Sequence, residues 1–325
     1  MGIKKHVKNN RNMATLILAI LCSFALLSCG CERHQTINTC FPVTEQEESR
    51  QQQQISFLYF SDTQADPETG DYSGFGEMLV LAITQEVNPD VIVFGGDTIN
   101  DGGDLDEWQK FREATAIPLS GLLTATVPGN HDNYSMLAEQ FDYPVKAPVI
   151  QGEGFLYSFE KGLVFFIMLD SNIMGAANDR DIEWLRNELR SEAARQAAWR
   201  IAVMHHPMWT VTLNPNDNAR AETMREYFLP LLEEYGVDLI LCGHQHVYTR
   251  SLPMNNHTAA QDGKGIVQFM AASGGKKSYK VENMDYISVS ANAPNFLHIT
   301  ANGEMITILA YDENGDQFDA YTITR

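Results

Sequence analysis

The 325-residue chain is poor in cysteine, and what it has builds no framework. Cys22 and Cys29 lie in an apolar amino-terminal stretch, Cys31 and Cys40 follow closely, and Cys242 stands alone. No Cys-x-x-Cys zinc spacing and no disulfide scaffold is present, although Cys31 and Cys40 could pair across a short loop in an oxidising compartment. An apolar run of the roughly 20 residues that a membrane-spanning helix needs is also missing. Basic residues are scarce, 23 Lys and Arg against 42 Asp and Glu, for a formal net charge of −19. The body contains no Lys/Arg-rich run, which argues against a nucleic-acid backbone as partner. No internal repeat is visible. What remains is the composition of a soluble globular enzyme, 44% hydrophobic and 20% charged.

The front of the chain is different. Residues 1–28 read as a targeting segment, with Lys4, Lys5, Lys8 and Arg11 followed by a mostly apolar run over Ala14–Leu27, the length of a signal h-region. It ends in Leu26-Leu27-Ser28-Cys29, which resembles a bacterial lipobox and makes Cys29 the candidate for lipidation; Cys31 fits less well, and plain secretion after a nearby cleavage is the alternative. Export to the cell envelope, as periplasmic or surface protein held to the membrane by a lipid anchor, is the expectation. Without residues 1–28 the chain has 19 basic against 42 acidic residues, net −23, a charge that anionic membrane surfaces repel, so the anchor would have to do the holding. Residues 29–54 read as a linker, since Thr44–Gln54 is rich in Glu, Gln, Ser and Arg without apolar periodicity. The folded domain is expected over 55–325.

From there strands and helices alternate. Ile55–Phe60 is a strand ending in Ser61-Asp62-Thr63-Gln64, and Phe75, Met78, Leu79, Ala82, Ile83 and Val87 recur at helical spacing. Val91–Phe94 is a second strand ending in Gly95-Gly96-Asp97, a helix carries Leu105, Trp108 and Phe111, and a third strand over Leu122–Val127 ends in Pro128-Gly129-Asn130-His131-Asp132. Such βαβ units imply a sheet with parallel strands, which bind ligands at their carboxyl ends. A hairpin-like pair over Phe155–Phe159 and Leu163–Leu169 ends at Asp170, and a helix bearing Ile182, Leu185 and Leu189 follows. The strand Arg200–Met204 ends in His205-His206-Pro207, and one helix is expected to carry Met224, Tyr227, Phe228, Leu231, Leu232 and Tyr235. Val237–Cys242 is a buried strand ending in Gly243-His244-Gln245-His246. Short strands over 266–273, 296–300, 304–310 and 318–323 suggest a second sheet packed on the first.

Six strand ends thus carry Asp62, Asp97, Asn130-His131, Asp170, His205-His206 and His244/His246, and five of the nine histidines lie in these turns. Singly, Gly-Gly-Asp and Pro-Gly-Asn are ordinary turn chemistry, and a His pair in a loop is more often solvated. Together, carboxylate, amide and imidazole suit two borderline metal ions such as iron, zinc or manganese, and a carboxylate bridging ions about 3.5–4 Å apart is the device of two-metal hydrolysis. Cys242 sits in a strand and reads as core.

These motifs resemble those of the calcineurin-like metallophosphoesterases, in particular the branch similar to purple acid phosphatases. The matching runs are Asp62-Thr63-Gln64, Gly96-Asp97, Gly129-Asn130-His131-Asp132, Met204-His205 and Gly243-His244-Gln245-His246, with Val247–Ser251 continuing the likeness, over about residues 55–310. The resemblance implies an α/β fold, an α/β/β/α sandwich of two packed mixed sheets flanked by helices. It implies a phosphoester hydrolase, mono- or diesterase, acting on a small phosphoester through a dinuclear centre whose hydroxide attacks phosphorus in line. Asp62, Gln64 and His246 would hold one metal, Asn130, His205 and His244 the other, and Asp97 would bridge. His131 would protonate the leaving group or stabilise charge, oriented by Asp132. Choosing His205 over His206 as ligand rests on the resemblance; His206 would contact substrate or be structural, and Asp170 would be structural or a supporting partner. Two departures stand out: Gln64 where much of the family has His, and Asn100, a weak substrate-contact candidate, where purple acid phosphatases have the tyrosine that colours them. Gln64 is also what favours the alternative of a catalytically weak metal-dependent binding or sensing lipoprotein. Residues 213–220 and 252–264 are the loops expected to line the crevice.

Overall fold

Alternation along the strands sorts the apolar residues into two layers. In the strand Val164–Leu169, Val164, Phe166 and Met168 join one buried cluster and Phe165, Ile167 and Leu169 another; in Leu239–Cys242 the odd and even residues divide the same way. A sheet buried on both faces lies between two cores, and these strands read as unbroken apolar runs for that reason.

The computed structural model describes residues 54–85, 89–145, 149–150 and 154–325. The targeting segment, Cys29, Cys31, Cys40, the linker to Gln53, and Val87 lie outside the described residues. In chain order the first strands are β1 (Ile55–Phe60), β2 (Val91–Phe94), β3 (Thr124–Thr126), β4 (Val149–Ile150), β5 (Gly154–Phe155), β6 (Tyr157–Lys161), β7 (Val164–Leu169), β8 (Trp199–Met204) and β9 (Leu239–Cys242). Then come β10 (Tyr248–Ser251), β11 (Met254–Asn255), β12 (Thr258–Ala259), β13 (Val267–Met270), β14 (Ile287–Ala291), β15 (Asn295–Ala301), β16 (Met305–Asp312) and β17 (Gln317–Thr324). The helices are α1 (Ser73–Gln85), α2 (Leu105–Leu119), α3 (Tyr134–Gln140), α4 (Ser171–Met174), α5 (Asp179–Arg190), α6 (Glu192–Gln196), α7 (Pro215–Tyr227) and α8 (Leu229–Glu234).

Two mixed sheets result, a six-stranded one in the order β17-β16-β15-β1-β2-β3 and a seven-stranded one in the order β14-β10-β13-β9-β8-β7-β6. Phe57 of β1 meets Phe166 of β7 edge-on at 5.1 Å between the sheets. On the other side of β1, Phe60 packs on Phe75 of α1 at 5.6 Å, and Phe75 stacks with Phe111 of α2. Helices α5, α7 and α8 cover the outer face of the second sheet through Leu185, Leu189, Met224 and Leu232. This is the expected α/β/β/α sandwich, and each fully buried Phe or Leu contributes about 1.5–3 kcal/mol to it.

Three expectations are corrected. The division between sheets falls in the middle of the chain: β7, β8 and β9 belong to the second sheet, while β15, β16 and β17 return to extend the first, β15 pairing antiparallel with β1, β16 with β15 and β17 with β16. The single helix expected after His206 is two, α7 and α8, broken at Phe228 where Pro230 in the first turn of α8 has no amide to continue the ladder. Leu105, expected on an apolar face, is the 63% exposed first residue of α2; the start is set by Asp104, whose carboxylate accepts from the Asp106 and Glu107 amides.

The parallel core of each sheet, β1-β2-β3 in one and β7-β8-β9 in the other, sends its carboxyl ends to the same edge of the sandwich, as the contacts below show.

Candidate metal centre

The turns after β1, β2 and β9 bend sharply enough to place non-glycine residues in the left-handed region: Asp62 at φ 50°, Asp97 at φ 52° and His244 at φ 73°. Such backbones cost on the order of 1–3 kcal/mol each and persist where the surroundings hold them. Here each strained amide is captured. The Asp62 N–H donates to Gly96 O at 2.9 Å, the Asp97 N–H to Asp132 Oδ2 at 2.8 Å, and the His244 N–H to the Asp62 carboxylate at 2.8 and 3.0 Å. Glycine is required where the turns cross: a Cβ on Gly243 would sit 1.9 Å from Ser61 Oγ and 2.1 Å from Asp62 Oδ2, and one on Gly129 would sit 2.0 Å from Asp97 Oδ1.

The side chains so placed converge. Asp62, Asp97 and His205 offer ligand atoms all within 4.8 Å of one another, all buried. His246 Nε2 lies 3.3 Å from Asp62 Oδ1, and His205 Nε2 lies 3.4 Å from Asp97 Oδ2. Asn130 Oδ1 lies 3.3 Å from His205 Nε2 and 2.9 Å from His244 Nδ1. The geometry therefore gathers these side chains into one cluster, in which Asp62 meets His246, Asp97 meets His205, and Asn130 meets both His205 and His244.

Second partners fix which ring nitrogen faces inward. His205 Nδ1 lies 2.9 Å from the Gly95 carbonyl, an acceptor only, so Nδ1 carries the proton and Nε2 faces Asp97 and Asn130. His244 Nε2 lies 3.0 Å from Asp217 Oδ1, which leaves Nδ1 for the centre. Asp217 Oδ2 also accepts from Gln245 Nε2 at 2.9 Å.

Imidazole nitrogens facing carboxylate and amide oxygens at 2.9–3.4 Å are a donor set that suits a metal cation. Burial by itself lowers the pKa of His205, yet the charge and hydrogen bond of Asp97 lift it to about 9. Burial likewise raises Asp97, and His205 outweighs it, holding the carboxyl well below the usual range. A proton thus takes the place between them that a divalent ion would fill. Gln64 adds a second sign: fully buried, it donates Nε2 to Ile99 O at 3.3 Å and leaves Oε1 without a partner. No hydrogen bond joins Gln64 to the other ligand atoms.

Among the other sequence candidates, Asp132 is corrected. Its carboxylate does not touch the His131 ring but accepts the backbone amides of Asp97, Thr98 and Gly129 at 2.8, 3.0 and 2.8 Å, tying two ligand-bearing turns together. Burial and the nearby Asp97 charge raise its pKa to about 7. The His131 ring is instead held by the Asn100 carbonyl, 2.6 Å from Nδ1, and the His131 amide donates to Asp97 Oδ1 at 2.9 Å. Asn100 does not line the cleft; its amide donates to Glu107 and to the Ala65 carbonyl. His206 is also set back, bonded through its amide and Nδ1 to Ser171 Oγ, and burial with the neighbouring His205 and His244 drives its pKa down, so the ring stays neutral. Asp170 caps α4 and accepts from Phe155 N, a structural role. Cys242 is buried core, its thiol on Phe269 O.

The cleft over the centre measures about 260 Å³ and is lined by Asp97, Asn130, His131, His244 and His246 together with Pro67, Lys276, Lys277 and Tyr279. Of the loops expected to line it, 213–220 contributes Asp217 behind His244, whereas 252–264 borders a separate groove beside β17. The cleft residues from 276–279 carried no periodicity or motif that would have singled them out.

Comparison with known proteins agrees with this geometry. The sequence pattern described as calcineurin-like phosphoesterase matches residues 55–248. Purple acid phosphatase 15 of Arabidopsis thaliana is 27% identical over 191 residues, 55% of this chain and 34% of its own length. A probable glycerophosphodiester phosphodiesterase of Arcobacter nitrofigilis is 27% identical over 175 residues, 50% of this chain and 59% of its own. The chain thus spans about a third of the length of the plant relative. Among solved structures, a purple acid phosphatase from yellow lupin (Lupinus luteus) seeds superposes with a TM-score of 0.73 at 18% identity, covering 85% of this chain and 55% of that one. GAP50, the anchor in the inner membrane complex of Plasmodium, gives 0.63 at 18% identity over 83% of this chain and 89% of that one, a likeness of fold alone. With the fold, the gathered ligand set and a pattern spanning more than half of its length, the chain belongs to the calcineurin-like phosphoesterase family.

Proposed function

We propose that the protein is a metal-dependent phosphoester hydrolase working through two metal ions, iron, zinc or manganese. The observation that carries this reading is the convergence of Asp62, Asp97 and His205, with Asn130, His244 and His246 around them, on one small cleft. Asp62 and His246, with Gln64 as the weak third donor, would hold one ion; Asn130, His205 and His244 would hold the other, and Asp97 would be shared. Ions held there supply Lewis-acid polarisation of the phosphoryl group and of water near neutral pH.

The chain's own residues do the rest. The Asn100 carbonyl holds the His131 Nδ1–H, which leaves Nε2 as the atom for the substrate; an imidazolium His131 would give its Nε2 proton to the leaving oxygen and end as the neutral Nδ1–H ring. Asp132 acts at a distance by fixing the amides of the Asp97 and Gly129 turns. A cleft of about 260 Å³ suits a small phosphoester. The names of related chains cover both phosphatase and phosphodiesterase. The lipobox-like Leu26–Cys29 supports, as a further part of the proposal, lipid attachment at Cys29 and a place in a bacterial cell envelope.

Metal-loaded wild type and His131→Ala should be assayed on 4-nitrophenyl phosphate and bis(4-nitrophenyl) phosphate. The wild type is expected to turn over at least one, and loss of His131 to lower kcat about 10²–10⁴-fold with metal content unchanged. A wild type that binds two metals and hydrolyses neither ester would replace the hydrolase by the binding or sensing alternative.

A further inference from the structure

The segment Ser273–Tyr279 is clipped to the Asp62 turn at one end and to His246 at the other. Its start forms a ladder with the Asp62 turn: the amides of Ser273, Gly274 and Gly275 donate to the carbonyls of Ser61, Asp62 and Gln64 at 2.8, 2.9 and 2.8 Å. The fit leaves no room for side chains, since a Cβ on Gly274 would sit 2.3 Å from Gln64 O and one on Gly275 2.8 Å from Asp66 N. At its far end the Tyr279 amide donates to His246 O at 3.2 Å, and the Tyr279 ring stacks on the His246 imidazole at 4.9 Å with the planes 12° apart. Between these clips stand Lys276, half-buried, and Lys277, exposed, the two cationic side chains that line the cleft. Neither has an ion-pair or hydrogen-bond partner among the described residues. In a chain of net charge −19, two ammonium groups at the mouth of a phosphoester-sized cleft, above the Asp97 and Asp62 carboxylates that ions would neutralise, offer cationic partners to an anion.

We propose that Ser273–Tyr279 is a substrate-binding strap in which the Lys276 ammonium binds a non-bridging oxygen of a dianionic phosphoryl group and makes it the specificity-determining residue for phosphomonoesters over phosphodiesters. This rests on the hydrolase reading. The chemistry is one of charge: a phosphomonoester carries close to two negative charges at pH 7, a diester one, and the diester's second substituent takes the oxygen that the ammonium would hold. Backbone clips on the Asp62 and His246 turns fix Lys276 relative to that pair, so the cation is positioned by the same elements that position these two side chains. Lys277, which also borders the neighbouring depression beside Asp217, adds steering rather than a fixed contact.

The test uses the metal-loaded full chain as wild type, Lys276→Met, Lys276→Arg and Lys277→Met. Metal content, the Kd of inorganic phosphate at pH 8 by calorimetry, and kcat/KM on 4-nitrophenyl and bis(4-nitrophenyl) phosphate are read for each. Lys276→Met is expected to weaken phosphate binding and lower monoester kcat/KM by about tenfold or more, with less than about threefold effect on the diester and no change in metal content. Lys276→Arg should recover much of the loss, and Lys277→Met should act mainly at low ionic strength. An equal fall on both esters, or a phosphate Kd that ignores Lys276, overturns the strap while leaving the hydrolase standing. Lys276-dependent phosphate binding without turnover of either ester by the wild type overturns the hydrolase and leaves the strap as an anion site.

Discussion

Asp217 gives the sharpest lever on the proposed division of the centre into two half-sites. Its carboxylate spans two donors, His244 Nε2 at 3.0 Å and Gln245 Nε2 at 2.9 Å. Burial raises its pKa, but the hydrogen bonds and charge of His244 and the bond from Gln245 more than offset this, so it stays ionised. Asp217→Ala removes the group that fixes the His244 proton on Nε2 and so frees Nδ1, the nitrogen facing Asn130, to take the wrong tautomer. Asp217→Asn does little better, because its NH2 must face either the imidazole N–H or the Gln245 amide. Removing the outer partner of a metal-bound histidine costs about 10–100-fold in metal affinity, or about 1.4–2.7 kcal/mol. The fold should notice less: Asp217 stands in the first turn of α7, where a carboxylate is worth about 0.3–1 kcal/mol. Titration of metal-free protein with zinc against a chelator should therefore show one of two steps weakened by that factor and the other, from Asp62 and His246, unmoved. Equal weakening of both steps, or of neither, would refute the assignment of His244 to a single half-site.

Other consequences follow from the same contacts. Asp132→Ala leaves three backbone amides without their acceptor, and at about 0.5–1.5 kcal/mol per bond, since a carboxyl with a pKa of about 7 is only partly ionised at neutral pH, urea unfolding of the metal-free protein should fall by about 1.5–4.5 kcal/mol; a change below about 0.5 kcal/mol would restore Asp132 to a role outside the backbone. Away from the centre, Asp319 accepts from Arg250 Nε at 2.8 Å and from Tyr248 at 2.6 Å. Burial raises its carboxyl and these partners outweigh it, so its folded pKa lies below the unfolded one and its stabilisation, present above pH about 4, is lost as pH falls. Asp319→Asn should cost about 1–3 kcal/mol at pH 7, and the gap to wild type in thermal melts should narrow as pH falls below about 4; a gap that does not narrow would contradict an ionic origin.

The turns that converge on the cleft were legible because carboxylate, amide and imidazole residues recur right after apolar runs, where a parallel sheet must put its binding edge. What escaped had no such local mark. Asp217 reads as an acidic residue complementing a helix start, and only the fold brings it to His244. Lys276 and Tyr279 belong to a polar loop whose place is set by backbone bonds to turns more than 200 residues earlier and about 30 before. Asp132 follows His131 directly, and adjacency in sequence suggested a bond to the ring; the tight turn instead sends the carboxylate back to the amides of Asp97 and Thr98. The return of β15, β16 and β17 to β1 is likewise a long-range pairing that apolar runs do not encode.

The most direct measurement is the metal content and phosphoester turnover of the purified protein beside Asp97→Ala. Two ions per chain in the wild type, with the variant losing at least one of them and its turnover, is the expected result, since Asp97 offers a ligand atom within 4.8 Å of those of Asp62 and His205. An Asp97→Ala protein that keeps both metals and full activity would contradict the shared centre outright.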